Sequence, residues 1–277
     1  MNMRMHVFLL STNPIHTKNT HKKGGDTMME FKEFGDIRNP KIMLIHGMAT
    51  TWDTCYRATI NELKNDFFII VPVLDGHNPE EKSEFCSIQE AAHKIEQYVL
   101  QKHNGKLHAA TGFSMGGTIL IQILANQILQ IHRVVLDAAY CNPLGIFSKF
   151  CTMFLSNQIS KIKENKPFHI LLRKVMEYGK FDEVALRKAF YSSISHKTIL
   201  NCFAQLLEYQ IPQSLRSINA DVTYWYGSNE SYAAKSARNL KKVLPNLRIR
   251  SFDRYGHGEL ITKYPKHCVA ELKRIIL

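Results

Sequence analysis

Paired cysteines, phosphate-binding glycine loops and long apolar spans are all missing from this 277-residue chain, and several classes of function go with them. The six cysteines, at positions 55, 86, 141, 151, 202 and 268, include no C-x-x-C pair, and none stands at metal-ligand spacing from a histidine. They read as reduced, mostly buried thiols of a cytoplasmic protein, so neither a disulfide framework nor a metal centre is expected. No G-x-x-x-x-G-K-[ST] loop or other cofactor fingerprint occurs. The apolar run inside Met1–Leu10 is too short for a membrane span or a signal-peptide core. There are no internal repeats and no low-complexity tracts. Negative charge is scarce: 24 acidic against 36 basic residues leave a formal charge of +12. The basic residues are dispersed rather than gathered in one run. That pattern fits a solvated surface with a mild preference for anionic ligands; neither a nucleic-acid partner nor membrane contact is expected.

At 45% apolar and 22% charged residues, the chain can bury a core of its own as one sizeable domain with room for an insertion. Residues 11–27 are polar and aperiodic, which predicts disorder. Lys22-Lys23-Gly24-Gly25 shortly before Met28-Met29 resembles a purine-rich ribosome-binding sequence read through in frame. On this reading residues 1–28 are a disordered or spurious extension, and the natural start is Met28 or Met29.

The most informative stretch is Leu107–Ala125. An apolar run to Phe113 reads as a buried strand, and the apolar stretch Thr118–Leu129 as a buried helix. Between them lies Gly112-Phe113-Ser114-Met115-Gly116. A hydroxyl at the apex of a sharp strand-to-helix turn needs neighbours without side chains, which Gly112 and Gly116 provide, while Gly117 lets the helix lie close to the sheet. The free N–H groups of the helix start favour negative charge beside that hydroxyl. This is the G-x-S-x-G nucleophile elbow in its strand–turn–helix setting.

Around it, strand and helix patterns alternate. Strands are expected at Glu30–Gly35, Lys41–His46, Phe67–Val73, Arg133–Asp137, Asp221–Tyr226 and Leu247–Phe252. Helices are expected at 52–65, from Ser87 to about His103 with a Ser87/Glu90 capping box, at 232–243 and over Pro265–Ile276. Residues 140–215 break the rhythm, with helical patterns near 143–163, 168–178, 182–191 and 196–208. Alternation of this kind predicts a mostly parallel sheet with helices on both faces and functional groups beyond the C-terminal strand ends.

The landmarks His46-Gly47, Ser114, an acid after a late strand and His257 after the last strand occur in an order that resembles the α/β-hydrolases, over about residues 30–277. The resemblance implies an α/β-hydrolase core, formed by 29–139 and 216–277, with a helical cap at 140–215 inserted before the last two strands. It implies a catalytic Ser114, a base His257, and an orienting acid. Glu230, three residues after Gly227, fits best; Asp137 is the alternative acid and Asp253 a weaker rival. It further implies an oxyanion hole from the backbone N–H groups of Met48 and Met115. His46 and His77 then have structural roles. The cap would line an apolar substrate pocket with Phe147 and Phe150, joined by Trp52 and Tyr140 from strand ends. The expected activity is cofactor-free, metal-free hydrolysis of a carboxylic ester or thioester through a Ser-His-Glu triad, of the carboxylic ester hydrolase type (EC 3.1.1), by a monomer or homodimer. An amidase or peptidase, an acyltransferase and a non-catalytic ligand-binding protein on the same fold remain open.

Overall fold

A computed structural model describes residues 29–164, 166–167 and 191–277. The N-terminal segment 1–28 and the helical patterns at 168–178 and over nearly all of 182–191 lie outside the described residues.

The strands are β1 (Glu30–Phe34), β2 (Lys41–Ile45), β3 (Phe68–Val73), β4 (Lys106–Phe113), β5 (Gln130–Asp137), β6 (Asp221–Gly227) and β7 (Arg248–Phe252). They form one sheet in the order β1-β3-β2-β4-β5-β6-β7. β1 runs antiparallel to β3, while the other pairings are parallel. β3 is buried along its whole length, and only the first residue of β2 escapes full burial, as a sheet covered on both faces requires.

The covering helices are α1 (Trp52–Leu63), α2 (Ile88–His103), α3 (Met115–Asn126), α4 (Ser148–Lys163), α5 (His196–Glu208), α6 (Ser231–Val243), the short α7 (Glu259–Lys263) and α8 (Pro265–Ile276). On one face, α2, α3 and α6 bury Ile95, Ile119, Leu120 and Leu240 against Met43, Ala110 and Val134. On the other, α1, α7 and α8 bury Tyr56, Ile60, Leu260 and Leu272 against Leu44, Ile69 and Val135. The two clusters are the opposite faces of the same strands, set by the two-residue alternation of side chains.

Several boundaries differ from the sequence expectation for identifiable reasons. α3 starts at Met115 rather than Thr118, because two glycines after the turn are tolerated in its first turn. It stops at Asn126, where Gln127 adopts a left-handed conformation (φ 54°). Leu129 thereby leads into β5, which begins at Gln130. At α2, Ser87 accepts from the Glu90 N–H (3.0 Å), but the Glu90 carboxylate bonds Lys94 (2.9 Å) instead of completing a capping box. The reciprocal box occurs at Thr51 and Thr54, ahead of α1.

Between β5 and β6, α4 and α5 pack against each other, with Ile159 and Ile162 against Ile199 and Phe203. Their cluster reaches Ala49, in the loop after β2. The start of α5 is tied down by Glu84, whose carboxylate accepts from Ser195 Oγ and Thr198 Oγ1, each at 2.5 Å.

Candidate active site

β2 and β4 are neighbours in the sheet, and the connections leaving them run to opposite sides. A crevice is expected at such a switch point, beyond the C-terminal ends of the strands. The loops there carry Met48 and Ser114. The ends of β5, β6 and β7 add Asp137, Glu230 and His257.

Ser114 sits at φ 53°, ψ −118°, a backbone conformation that L-residues rarely adopt. Its N–H donates to Asp137 O (2.7 Å), and its carbonyl accepts from Gly117 N (2.9 Å) and Thr118 N (3.2 Å). The turn is closed so tightly that a Cβ on Gly112 would lie 2.4 Å from Gly116 O, and one on Gly116 would lie 2.2 Å from Ile45 O. The glycines are therefore required by close backbone approach, and the surroundings hold the strained serine in place.

His257 Nε2 lies 3.1 Å from Ser114 Oγ, and its Nδ1 lies 2.7 Å from Glu230 Oε1. Glu230 Oε2 accepts from the Gly227 N–H at 2.6 Å. Glu230 and His257 are both buried, whereas Ser114 keeps some exposure. The imidazole stacks on Phe113, with centroids 4.8 Å apart and planes 28° from parallel. Gly258 (φ +74°) lets this packing happen, since a Cβ there would meet the Phe113 ring at 2.9 Å. The glycine after His257 thus makes room for the Phe113 ring.

Tyr232, in the first turn of α6, completes the cluster. Its Oη lies 2.5 Å from His257 Nδ1 and 3.1 Å from Glu230 Oε1. Burial and the Glu230 charge hold the phenol well above its ordinary pKa, so it stays protonated.

Asp137 is 7% exposed and makes no hydrogen bond to His257. Burial, reinforced by the neighbouring Glu230 charge, pushes its carboxyl up to about 8. The indole N–H of Trp225 pulls the other way, although that N–H has no partner at hydrogen-bond distance. Asp253 is an exposed surface residue that meets Arg254 and Ser228. Of the three acids considered, the structure brings only Glu230 to the imidazole.

The backbone N–H groups of Met48 and Met115 have no hydrogen-bond partner among the described residues. Met115 opens α3, so its N–H is one of the orphan donors of a helix start. Ala49, at φ 56°, turns the chain just after Met48. His46 braces the same loop: its Nδ1 lies 3.0 Å from Gly47 O, and Nε2 accepts from Leu74 N at 3.2 Å. Burial and the adjacent His77 lower its pKa to about 3, which keeps it neutral. His77 is likewise buried, 2.9 Å from Asp75 O through Nδ1.

The expected pocket residues divide. Tyr140 lies near the site, its ring 6.0 Å from that of Tyr232. Trp52 packs on Phe34 (5.5 Å) at the start of α1. Phe147 and Phe150 are 64% and 73% exposed rather than buried around the site. The buried face of α4 carries Ser148, Thr152, Ser156, Ile159 and Ile162 instead. Ser148 Oγ reaches Leu207 O on α5 at 3.1 Å. Sequence reasoning missed Tyr232 and Phe113. Phe113 was open to notice as the residue preceding the elbow serine; nothing in the sequence marked Tyr232.

Among the described residues no group of three His, Cys, Asp or Glu side chains is placed to hold a metal ion, and no helix is long and apolar enough to cross a membrane.

A sequence profile of the alpha/beta hydrolase fold matches residues 40–169. Comparison with curated protein sequences gives no match. Among solved structures, an alpha/beta hydrolase family protein from Desulfitobacterium hafniense superposes with a TM-score of 0.82 at 21% identity, over 90% of this chain and 100% of that one. A lipase-esterase related protein from Clostridium acetobutylicum gives 0.70 at 17%, over 90% and 100%. A carboxylesterase structure from the thaumarchaeon Nitrososphaera gargenis gives 0.70 at 18%, over 89% and 93%.

Proposed function

We propose that this chain, which carries the α/β-hydrolase fold, is a serine hydrolase that cleaves a carboxylic ester or thioester through Ser114, His257 and Glu230. The observation that carries the reading is one imidazole bridging Ser114 Oγ at 3.1 Å and Glu230 Oε1 at 2.7 Å, with the unpartnered N–H of Met115 next to the serine and that of Met48 in the loop after β2. The lipase-esterase related protein and the carboxylesterase among the structural relatives support the same chemistry.

A free serine hydroxyl is a weak nucleophile and needs a base within hydrogen-bond reach. His257 Nε2 takes the Ser114 proton as Oγ attacks the acyl carbonyl. Glu230 holds the ring with Nε2 toward the serine and balances the imidazolium charge. The oxyanion that forms is received by the N–H groups of Met48 and Met115, each worth about 3–4 kcal/mol of transition-state stabilisation. His257 then protonates the leaving alcohol or thiol. A water activated by the same imidazole releases the acid and regenerates Ser114. The α4–α5 region, within 140–215, acts as a cap over the oxyanion loop, which it contacts at Ala49. Six unpaired cysteines suit a reducing compartment.

The test is labelling by a fluorophosphonate probe of the wild type, Ser114→Ala and His257→Ala, followed by a panel of acyl esters and thioesters. Labelling of the wild type alone supports the reading. A folded wild type that is neither labelled nor active on the panel refutes it.

A further inference from the structure

Tyr232 closes a triangle that a Ser-His-Glu arrangement does not need. Its Oη lies 2.5 Å from His257 Nδ1 and 3.1 Å from Glu230 Oε1, while those two atoms are 2.7 Å apart. The hydroxyl is not there by side-chain drift. The Tyr232 carbonyl accepts from Asn142 Nδ2 at 2.9 Å, and Asn142 is itself held by Ser236 (2.7 Å) and Asn239 (2.9 Å). The start of α6 is thereby fixed to the loop after β5, and the tyrosine ring stands edge-on to the imidazole (5.6 Å, 71°).

Three atoms in contact share two protons, and only some arrangements are productive. When Nδ1 carries its proton, that N–H points between Glu230 Oε1 and Tyr232 Oη, and the tyrosine O–H donates to Oε1. Nε2 is then a free acceptor facing Ser114. When the proton sits on Nε2 instead, the tyrosine O–H donates to Nδ1, and the serine faces a donor that cannot activate it. The carboxylate decides between them, because a bare Nδ1 lone pair against Oε1 is repulsive.

We propose that Tyr232 is a positioning residue that donates to Glu230 and accepts from the His257 Nδ1–H, setting how strongly the carboxylate holds the imidazolium. This rests on the reading of Ser114 and His257 given above. The O–H draws on part of the carboxylate charge. Without it, that charge falls wholly on the Nδ1–H, and the carboxylate holds the imidazolium more tightly.

The experiment compares the full-length wild type with Tyr232→Phe, which keeps the ring and removes only the hydroxyl. The expected result is a fall in kcat of about tenfold with KM little changed, and an acid limb of the kcat/KM profile displaced upward by about half a pH unit or more. A packing role alone would leave the limb in place, so an unmoved limb overturns the proposal whatever happens to kcat. A second readout needs no substrate: the low-field proton resonance of His257 Nδ1–H is expected to move in Tyr232→Phe, and an unchanged resonance likewise overturns it. Failure of the hydrolase reading is distinguishable, since it would appear as an unlabelled wild type while the resonance still responded to Tyr232→Phe.

Discussion

Asp137→Asn separates two carboxyls that the sequence leaves in competition, and its effect on stability has a defined pH dependence. Asp137 is buried beside Glu230, and its carboxyl is pushed up to about 8 from an ordinary value of 3.8. Below about pH 4 the carboxyl is protonated in both folded and unfolded chains, and it contributes nothing to the pH dependence. Between pH 4 and 8 the unfolded chain ionises this group while the folded protein keeps it neutral, so folding takes up a proton and stability falls as pH rises. Above pH 8 the loss is complete. At 1.36 kcal/mol per unit, roughly four units set a ceiling of about 5–6 kcal/mol. Water entry and the desolvation of the replacement amide reduce what is measured, and we expect Asp137→Asn to gain about 1–3 kcal/mol at pH 8. For a chain of this size that corresponds to a rise in Tm of about 2–8 °C. The assay is thermal denaturation of both proteins from pH 4 to 8.5. The gain should grow steadily across that range and be smallest near pH 4. A gain that does not vary with pH would show that Asp137 titrates alike in the folded and unfolded chain, and a variant that becomes less stable than wild type as pH rises would show that Asp137 is ionised and paired in the fold; either result would refute the reasoning.

The same variant should keep its hydrolytic activity within about an order of magnitude, whereas Glu230→Gln should lose about three orders of magnitude in kcat while remaining folded; the reverse pattern in a steady-state assay would assign the acid role to Asp137. Ser114→Gly should raise stability by about 1–2 kcal/mol in urea unfolding, because the positive φ no longer strains the backbone, and should abolish probe labelling. Gly116→Ala should lower stability by about 3 kcal/mol or more and destroy activity, because the new Cβ would meet the Ile45 carbonyl at 2.2 Å and neither backbone can yield without opening the elbow; a melting curve matching wild type would contradict this.

What could be read directly from the sequence was local or ordered along it. The elbow is legible because its constraint acts within five residues: Gly112 and Gly116 flank a serine whose turn leaves no room for a side chain. The strands are legible because a sheet covered on both faces demands apolar runs such as Ile42–Ile45 and Phe68–Val71. The α5 helix falls at 196–208, as its 3.6-residue periodicity predicts. The end of α3 was less legible, because Gln127 adopts a left-handed cap that glycine would have advertised and glutamine does not.

Tertiary structure alone decided the rest. Asp137 and Glu230 both lie at strand ends, and only the positions of β5, β6 and the loop after β7 bring the second carboxyl to 2.7 Å from His257 while the first makes no hydrogen bond to it. Tyr232 joins the site through the first turn of a helix that begins just after Glu230, a contact that no motif spacing encodes. Phe147 and Phe150 belong to an apolar pattern that the sequence assigns to a pocket; they are left exposed, while the face of α4 that is buried carries Ser148, Thr152, Ser156, Ile159 and Ile162, the last two packed on α5. Periodicity defines the faces of an element, but which face is covered depends on neighbours far away in the chain.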